Sequence, residues 1–244
     1  MTTHPTSDSL LDTIKQTVLV SPHPAGWPFI GGGALATLLF FLIDDFVGTL
    51  FLVLTLFIVY FFRDPKRAVP QRDGLVVSPA DGRVINVKTG VALPPEIAEI
   101  SGEANYTKIS IFLSVFDVHV NRIPVAGQII KTAYVPGKFV NAALDKASED
   151  NERAALLIET DDGKKLGVMQ IAGLVARRIV TDVKENDHVE TGVRYGIIRF
   201  GSRADIYLPA GTHALVCVGQ RCVGGETILA DLNSDEPARD ANII

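Results

Sequence analysis

Cysteine and histidine are scarce in this 244-residue chain, and a net positive charge is absent. Each shortage excludes something. Lys and Arg number 23 against 28 Asp and Glu, a net charge of −5, so no basic field is available to follow a nucleic-acid backbone. The two cysteines, Cys217 and Cys222, are five apart. That is neither a redox C-x-x-C pair nor a zinc spacing, and it builds no disulfide framework. Cys217 lies in the apolar run Ala214-Leu215-Val216-Cys217-Val218 and reads as a small core hydrophobe. The sparing use of cysteine suits a reducing compartment. A secretory signal is not indicated either: only Lys15 is basic upstream of the first apolar stretch, and no small-residue cleavage site follows it.

What the chain does have is one long apolar run. Residues 29–62 raise the mean hydropathy to +0.25 and are interrupted mainly by Asp44-Asp45. The halves, 29–43 and 46–62, are each somewhat short of the roughly 20 residues that a spanning helix needs. They predict a helical hairpin with the aspartates at its tip, either crossing a bilayer or re-entering one leaflet; a buried core hairpin is the soluble alternative. Trp27 and Tyr60 sit near its ends, where interfacial aromatics belong. Arg63, Lys66 and Arg67 follow it and place that end, with everything after it, on the cytoplasmic side. Three regions result: a polar segment 1–28, a membrane-associating hairpin 29–63, and a domain 64–244.

From Leu75 onward short β-branched runs alternate with Gly, Pro and Asp turns. Strands are predicted at 74–78, 83–88, 108–115, 128–134, 154–159, 165–171, around Ile197 and Ile206, and at 214–218 and 227–232. Residues 141–153 read as a short helix or ordered loop, and 172–178 as a possible helical turn. The fold class is α+β, mostly β, with short helices and the apolar hairpin in front.

The chain has a single Gly-Ser step, Gly201-Ser202, between two strand-like runs. Gly201 has no side chain to block approach to its carbonyl, and the next residue brings a hydroxyl to it. A chain can cut itself there by an N-to-O acyl shift, although most Gly-Ser steps are turns. A serine needs a base. His4 and His23 lie upstream of the apolar run, His188 is in a charged turn, and His213 stands at an expected strand start. His119 differs: it follows the apolar run ending at Val115, with Asp117 and Asn121 on its own face by alternation. Asp81, in Ser78-Pro79-Ala80-Asp81-Gly82, is a candidate acid to orient that histidine, although Asp-Gly is also an ordinary turn pair.

Together these segments resemble the phosphatidylserine decarboxylase proenzymes, most nearly their short bacterial form. The resemblance is carried by Ser78-Pro79-Ala80-Asp81-Gly82, Phe116-Asp117-Val118-His119-Val120-Asn121-Arg122 and Phe200-Gly201-Ser202-Arg203. It extends through Tyr60-Phe61-Phe62-Arg63-Asp64-Pro65, Phe139-Val140-Asn141 to Asn151-Glu152-Arg153, and Gln170 to Arg178. Longer bacterial members carry a second histidine three residues before the one matching His119; here that position is Phe116, so any part that histidine plays in decarboxylation must be filled otherwise or by His119 itself. The resemblance implies that Asp81 orients His119, that His119 deprotonates Ser202, and that the Ser202 oxygen attacks the Gly201 carbonyl. Elimination and loss of ammonia would leave a pyruvoyl group on residue 202, with a β piece 1–201 and an α piece 202–244. That covalent group would form a Schiff base with the amine of phosphatidylserine and release phosphatidylethanolamine. Arg177 and Arg178 are candidates for the substrate phosphodiester. The implied partners are the lipid bilayer, the substrate and the two pieces of one precursor, with no metal.

Three other readings stay open on the residues. One is a related pyruvoyl decarboxylase acting on archaetidylserine or another aminophospholipid. Another is a membrane-anchored serine hydrolase using Ser202, His119 and Asp81, against which stands the absence of a Gly-x-Ser-x-Gly elbow around Ser202. The last is an anchored β domain that only binds a partner.

Overall fold

An apolar run with no polar stripe cannot hide one face and wet the other, and residues 29–62 fold as two helices with apolar side chains on all sides. The computed structural model describes residues 20–98, 105–137, 151–173, 178–199 and 202–242. The chain divides into two compact units, Met1–Lys66 and Arg67–Ile244.

In the first unit a 3-10 turn, Pro24–Gly26, leads into α1 (Trp27–Phe41), and α2 (Asp45–Phe61) returns beside it. Pro24–Phe41 is long and apolar enough to cross a membrane; α2 is a shorter apolar helix. Asp44 is at the tip, and its carboxylate accepts the Val47 N–H at 2.9 Å, capping α2. The seam between the helices uses small residues. A Cβ on Gly33 would lie 2.8 Å from the Thr55 hydroxyl oxygen, and the Thr37 and Thr55 hydroxyls meet at 3.1 Å. A bridge between Pro22 and Arg63 and a 2.7 Å bond from the His23 N–H to the Phe62 carbonyl close the base. The chain therefore enters and leaves this hairpin at the same end.

The second unit is built of antiparallel strands. An eight-stranded sheet runs in the order β12 (Arg221–Cys222), β2 (Gly82–Val91), β3 (Tyr106–Leu113), β11 (Ser202–Leu208), β7 (Lys165–Ala172), β6 (Arg153–Glu159), β5 (Gly127–Val135), β9 (His188–Val189). A three-stranded sheet has the order β4 (Val120–Arg122), β10 (Arg194–Ile198), β8 (Ile179–Thr181), and β1 (Leu75–Val77) pairs with β13 (Ile228–Asp231). Alternation along β11 assigns its residues to two faces. Ala204, Ile206 and Leu208 share one face with Ser202, and Ile206 and Leu208 pack there with Ile109, Ile111, Val168, Ile123 and Tyr195 in the main core. Arg203, Asp205 and Tyr207 point the other way, where Tyr207 packs against Tyr106, Ile171 and Ile97 of the short helix α3 (Pro95–Ala98).

The strands predicted from β-branched runs are found with ends shifted by a few residues, except one. Residues 214–218 form no strand. Their apolar side chains Ala214 and Val216 join the core, and the Leu215 N–H bonds the Leu229 carbonyl at 2.8 Å without a ladder. His213 is accordingly exposed in an irregular stretch and starts no strand. The core cysteine is Cys222 at 2% exposure; Cys217 is only partly buried. The helix-or-loop reading of 141–153 falls largely outside the described residues, as does most of 172–178.

Candidate active site

Ser202 opens β11 at the centre of the large sheet, opposite Leu113 of β3 on one side and Ala172 of β7 on the other. It is completely buried, and among the described residues its hydroxyl has no hydrogen-bond partner. An unmet buried hydroxyl costs about 1–3 kcal/mol, and native folds rarely keep one without a use for it.

His119 is brought toward the head of β11 by the small sheet. It immediately precedes β4, which pairs with β10 in the register Val120↔Ile197 and Asn121↔Gly196, and the His119 carbonyl accepts the Ile198 N–H at 3.2 Å. Ile198 is four residues before Ser202. The His119 ring is fully buried, with Nδ1 2.9 Å from the Asp117 carbonyl oxygen. A carbonyl can only accept, so Nδ1 carries the proton there, and the basic lone pair of the neutral ring is on Nε2. Asp117 is itself fixed: its carboxylate accepts the Ser114 N–H and hydroxyl at 2.8 and 2.7 Å and the Arg221 guanidinium at 2.5 Å.

Asp81 arrives from the turn before β2. Its carboxylate takes two bonds from Arg67, at 2.7 and 3.0 Å, and one from the Gly224 N–H at 2.7 Å. The following residue must be glycine on steric grounds, since a Cβ on Gly82 would lie 2.2 Å from the Phe112 carbonyl oxygen. Next to Asp81, Ala80 packs against Leu113 and Ala204, the neighbours of Ser202. The Pro79 carbonyl accepts the Arg122 N–H at 2.9 Å. The segments carrying Asp81, His119 and Ser202 thus meet at one end of β11.

A buried polar chain runs beneath this meeting point. Thr181 donates to Gln170 Oε1 at 3.1 Å, Gln170 Nε2 donates to Asn121 Oδ1 at 2.8 Å, and Asn121 Nδ2 reaches the Pro79 carbonyl at 3.4 Å. It ties the Asp81 turn to the His119 strand. On the opposite sheet face Arg203 and Asp205 form a buried ion pair, Nη2 to Oδ2 at 3.0 Å. Burial, reinforced by the charge of Asp81, pushes the nearby Cys222 thiol up to about 12, so this cysteine is no nucleophile at neutral pH.

Arg178 is exposed, and its carbonyl lies 3.4 Å from the Arg199 N–H, which sets its backbone beside a residue three positions before Ser202. Gly201 and Arg177 lie outside the described residues. Arg67, Gln170 and Thr181 were not singled out in the sequence as site residues. Arg67 reads as a flanking charge of the apolar run, and only the three-dimensional register shows Gln170 opposite Ala204.

The chain is similar to known proteins over most of its length. The sequence model described as phosphatidylserine decarboxylase matches residues 54–230. The chain is 52% identical over 224 residues to the phosphatidylserine decarboxylase proenzyme of Granulibacter bethesdensis, covering 92% of this chain and 90% of that protein. It is 54% identical over 218 residues to the proenzyme of the same name from Nitrobacter winogradskyi, covering 89% and 87%. The β-rich fold with its buried serine is therefore that of a carboxy-lyase. More particularly, the chain belongs to the phosphatidylserine decarboxylase family.

Proposed function

We propose that this protein decarboxylates phosphatidylserine to phosphatidylethanolamine after cutting its own chain between Gly201 and Ser202. The observation that carries the reading is the buried Ser202 hydroxyl at the head of a central strand, without a hydrogen-bond partner among the described residues, with His119 brought toward it by the small sheet. In the cut, His119 Nε2 takes the hydroxyl proton, and the Ser202 oxygen bonds to the Gly201 carbonyl carbon. The peptide C–N bond breaks, its nitrogen gains a proton, and an ester remains. Loss of the Ser202 α-proton then expels Gly201 as a carboxylate. Water replaces the resulting enamine nitrogen, and ammonia leaves.

A group made from Ser202 itself fits this site, because it needs no entry path and no separate binding residues. The pyruvoyl group so formed supplies an electron sink for the pair left behind as CO2 departs. Asp81, fixed by Arg67 and the Gly224 N–H, provides the negative charge that steadies His119 in its protonated form. Arg178, with Arg177, serves the phosphodiester of the substrate. The products of the cut are 1–201 and 202–244; the latter contributes β11, β12 and β13 and stays woven into the sheets.

We assign regions 1–28, 29–63 and 64–244 to a polar lead, a bilayer anchor and the catalytic domain, the last on the cytoplasmic face. An anchor is needed because a diacyl substrate does not leave its bilayer.

Intact mass under denaturing conditions tests the cut. The native protein should give two pieces divided at this bond, and Ser202→Ala one full-length chain without decarboxylase activity. His119→Ala should accumulate uncut precursor. Asp81→Asn should cut slowly, because it removes charge but leaves the base. Cutting of Ser202→Ala at this bond would sink the acyl-shift mechanism.

A further inference from the structure

Within the unit Arg67–Ile244, the large apolar side chains exposed among the described residues are Val115, Phe116, Tyr134, Val193 and Val218. Three of these five lie together. Val115 and Phe116 form the turn that follows β3, at 37% and 63% exposure. Asp117 of that turn is bonded to Arg221, and Arg221 stands opposite Arg83 in the β12–β2 pair. The Gly219 N–H donates to the Val84 carbonyl at 2.8 Å, which sets Val218, 53% exposed, on the same edge of β2. Arg83 is exposed and makes no ion pair among the described residues. The Arg221 side chain is 69% exposed although one of its nitrogens is held by Asp117.

We propose that this rim is the surface by which the catalytic unit meets a bilayer containing anionic phospholipid. Phe116, Val115 and Val218 enter the boundary between headgroups and acyl chains, and Arg83 and Arg221 engage lipid phosphates. The chemistry matches that boundary: exposed apolar side chains on turns, flanked by arginines. The location matches too. Phe116 is three residues from His119, and Asp117, whose carbonyl holds the His119 ring, is part of the rim. A lipid substrate reaches the protein from a bilayer, and this rim adjoins the turn that holds His119. The inference rests on the proposed activity only for the identity of the substrate. The hairpin holds the chain at the membrane, and the rim selects which side of the catalytic unit faces it.

The test uses the full-length protein in vesicles of phosphatidylcholine with or without phosphatidylglycerol. In a Trp27→Phe background, the indole introduced by Phe116→Trp should be quenched by brominated acyl chains in the anionic vesicles. Adding Arg83→Gln should reduce that quenching several-fold. An indole that stays unquenched in protein bound to anionic vesicles overturns the proposal. In parallel, Val115→Ser with Val218→Ser should lower kcat/KM on phosphatidylserine in vesicles about tenfold, with activity on monomeric short-chain phosphatidylserine and self-cleavage unchanged. No loss on vesicles, or an equal loss on both substrates, also overturns it. A wild-type protein that decarboxylates neither substrate counts against the proposed activity alone, since the quenching reads the rim without turnover.

Discussion

The hairpin and the β unit sort their side chains in opposite ways. In the hairpin, Leu42, Ile43 and Phe46 at the tip are 84%, 77% and 80% exposed, while the seam holds Gly33, Thr37 and Thr55. In the β unit the apolar residues are inside. Among its buried polar groups, Ser202, His119, Asn121 and Gln170 lie toward the head of β11. The difference fits the two settings proposed for the units, a bilayer for the hairpin and water for the β unit. A hairpin apolar on all sides gains nothing from water and must satisfy its backbone within its own helices, as a bilayer demands. The β unit gains its stability from burial in water. Under the proposed activity, this buried polarity is where stability is given up for chemistry.

Removal of residues 1–66 is the largest expected break in this comparison. If the units have separate tasks, Arg67–Ile244 should fold, cut itself and lose tight vesicle association, because Asp81, His119, Gly201 and Ser202 are all retained. Flotation with vesicles and intact mass read both outcomes. A folded but uncut truncation would show that the hairpin helps to build the site.

The next effect lies within the polar cluster. Gln170 is 1% exposed and joins Thr181 to Asn121. Gln170→Leu keeps the volume but strands both partners, at a cost of about 2 kcal/mol. If that cost falls on alignment of His119, the cut slows by roughly 30-fold. Gln170→Glu retains an acceptor for Thr181 and should recover part of the rate. A slower cut at unchanged melting temperature separates positioning from mere destabilisation.

Alkaline pH should act on the β unit through groups that the fold keeps neutral. Burial raises the Tyr195 and Tyr207 hydroxyls above their usual range, with the Asp205 charge adding to the effect at Tyr207, and it pushes Cys222 up to about 12. In each case the folded value lies above the unfolded one. The stabilisation is therefore fully present below about pH 8.5–10, where the unfolded groups titrate, and is lost as pH climbs further. Melting temperature should fall steadily above about pH 9. Cys222 should also resist thiol reagents at neutral pH in the folded protein.

Much of this arrangement is legible in the sequence, for physical reasons. Hairpin and long strands announce themselves through apolar runs of the right length, and Asp44 at the tip through its interruption of one. The strands Val120–Arg122, Ile179–Thr181, His188–Val189 and Arg221–Cys222 span two or three residues, too few for alternation to show. Residues 214–218 have the composition of a strand, yet an apolar segment can fill a core without joining a ladder. For the proposed site, the candidate residues are visible as chemistry: one Gly-Ser step, one histidine after an apolar strand, and an Asp-Gly turn that follows Pro79. Their supports are not. Arg67 reaches Asp81 across 14 positions, and Gln170 reaches Asn121 across 49. Such pairings exist only once the register of the sheets is known.

The smallest expected effect sharpens the comparison from the hairpin side. Thr37 and Thr55 meet across the seam at 3.1 Å, and in an apolar solvent such a bond looks valuable. Each hydroxyl, however, has one proton and already donates within its own helix, Thr37 to the Gly33 carbonyl at 2.9 Å and Thr55 to the Phe51 carbonyl at 2.8 Å. The cross-helix bond competes with these and adds little. A double-mutant cycle with Thr37→Val and Thr55→Val in detergent micelles should give a coupling of about 0.6 kcal/mol, the scale of such bonds in membrane helices. Self-cleavage should be unchanged in all three variants. Gly33→Leu should cost more than either, because its Cβ would fall 2.8 Å from the Thr55 oxygen and force the helices apart. The seam is then held by close backbone approach, with the hydroxyls filling space. A coupling above about 2 kcal/mol would reverse that order and make the hairpin, like the β unit, dependent on its buried polar groups.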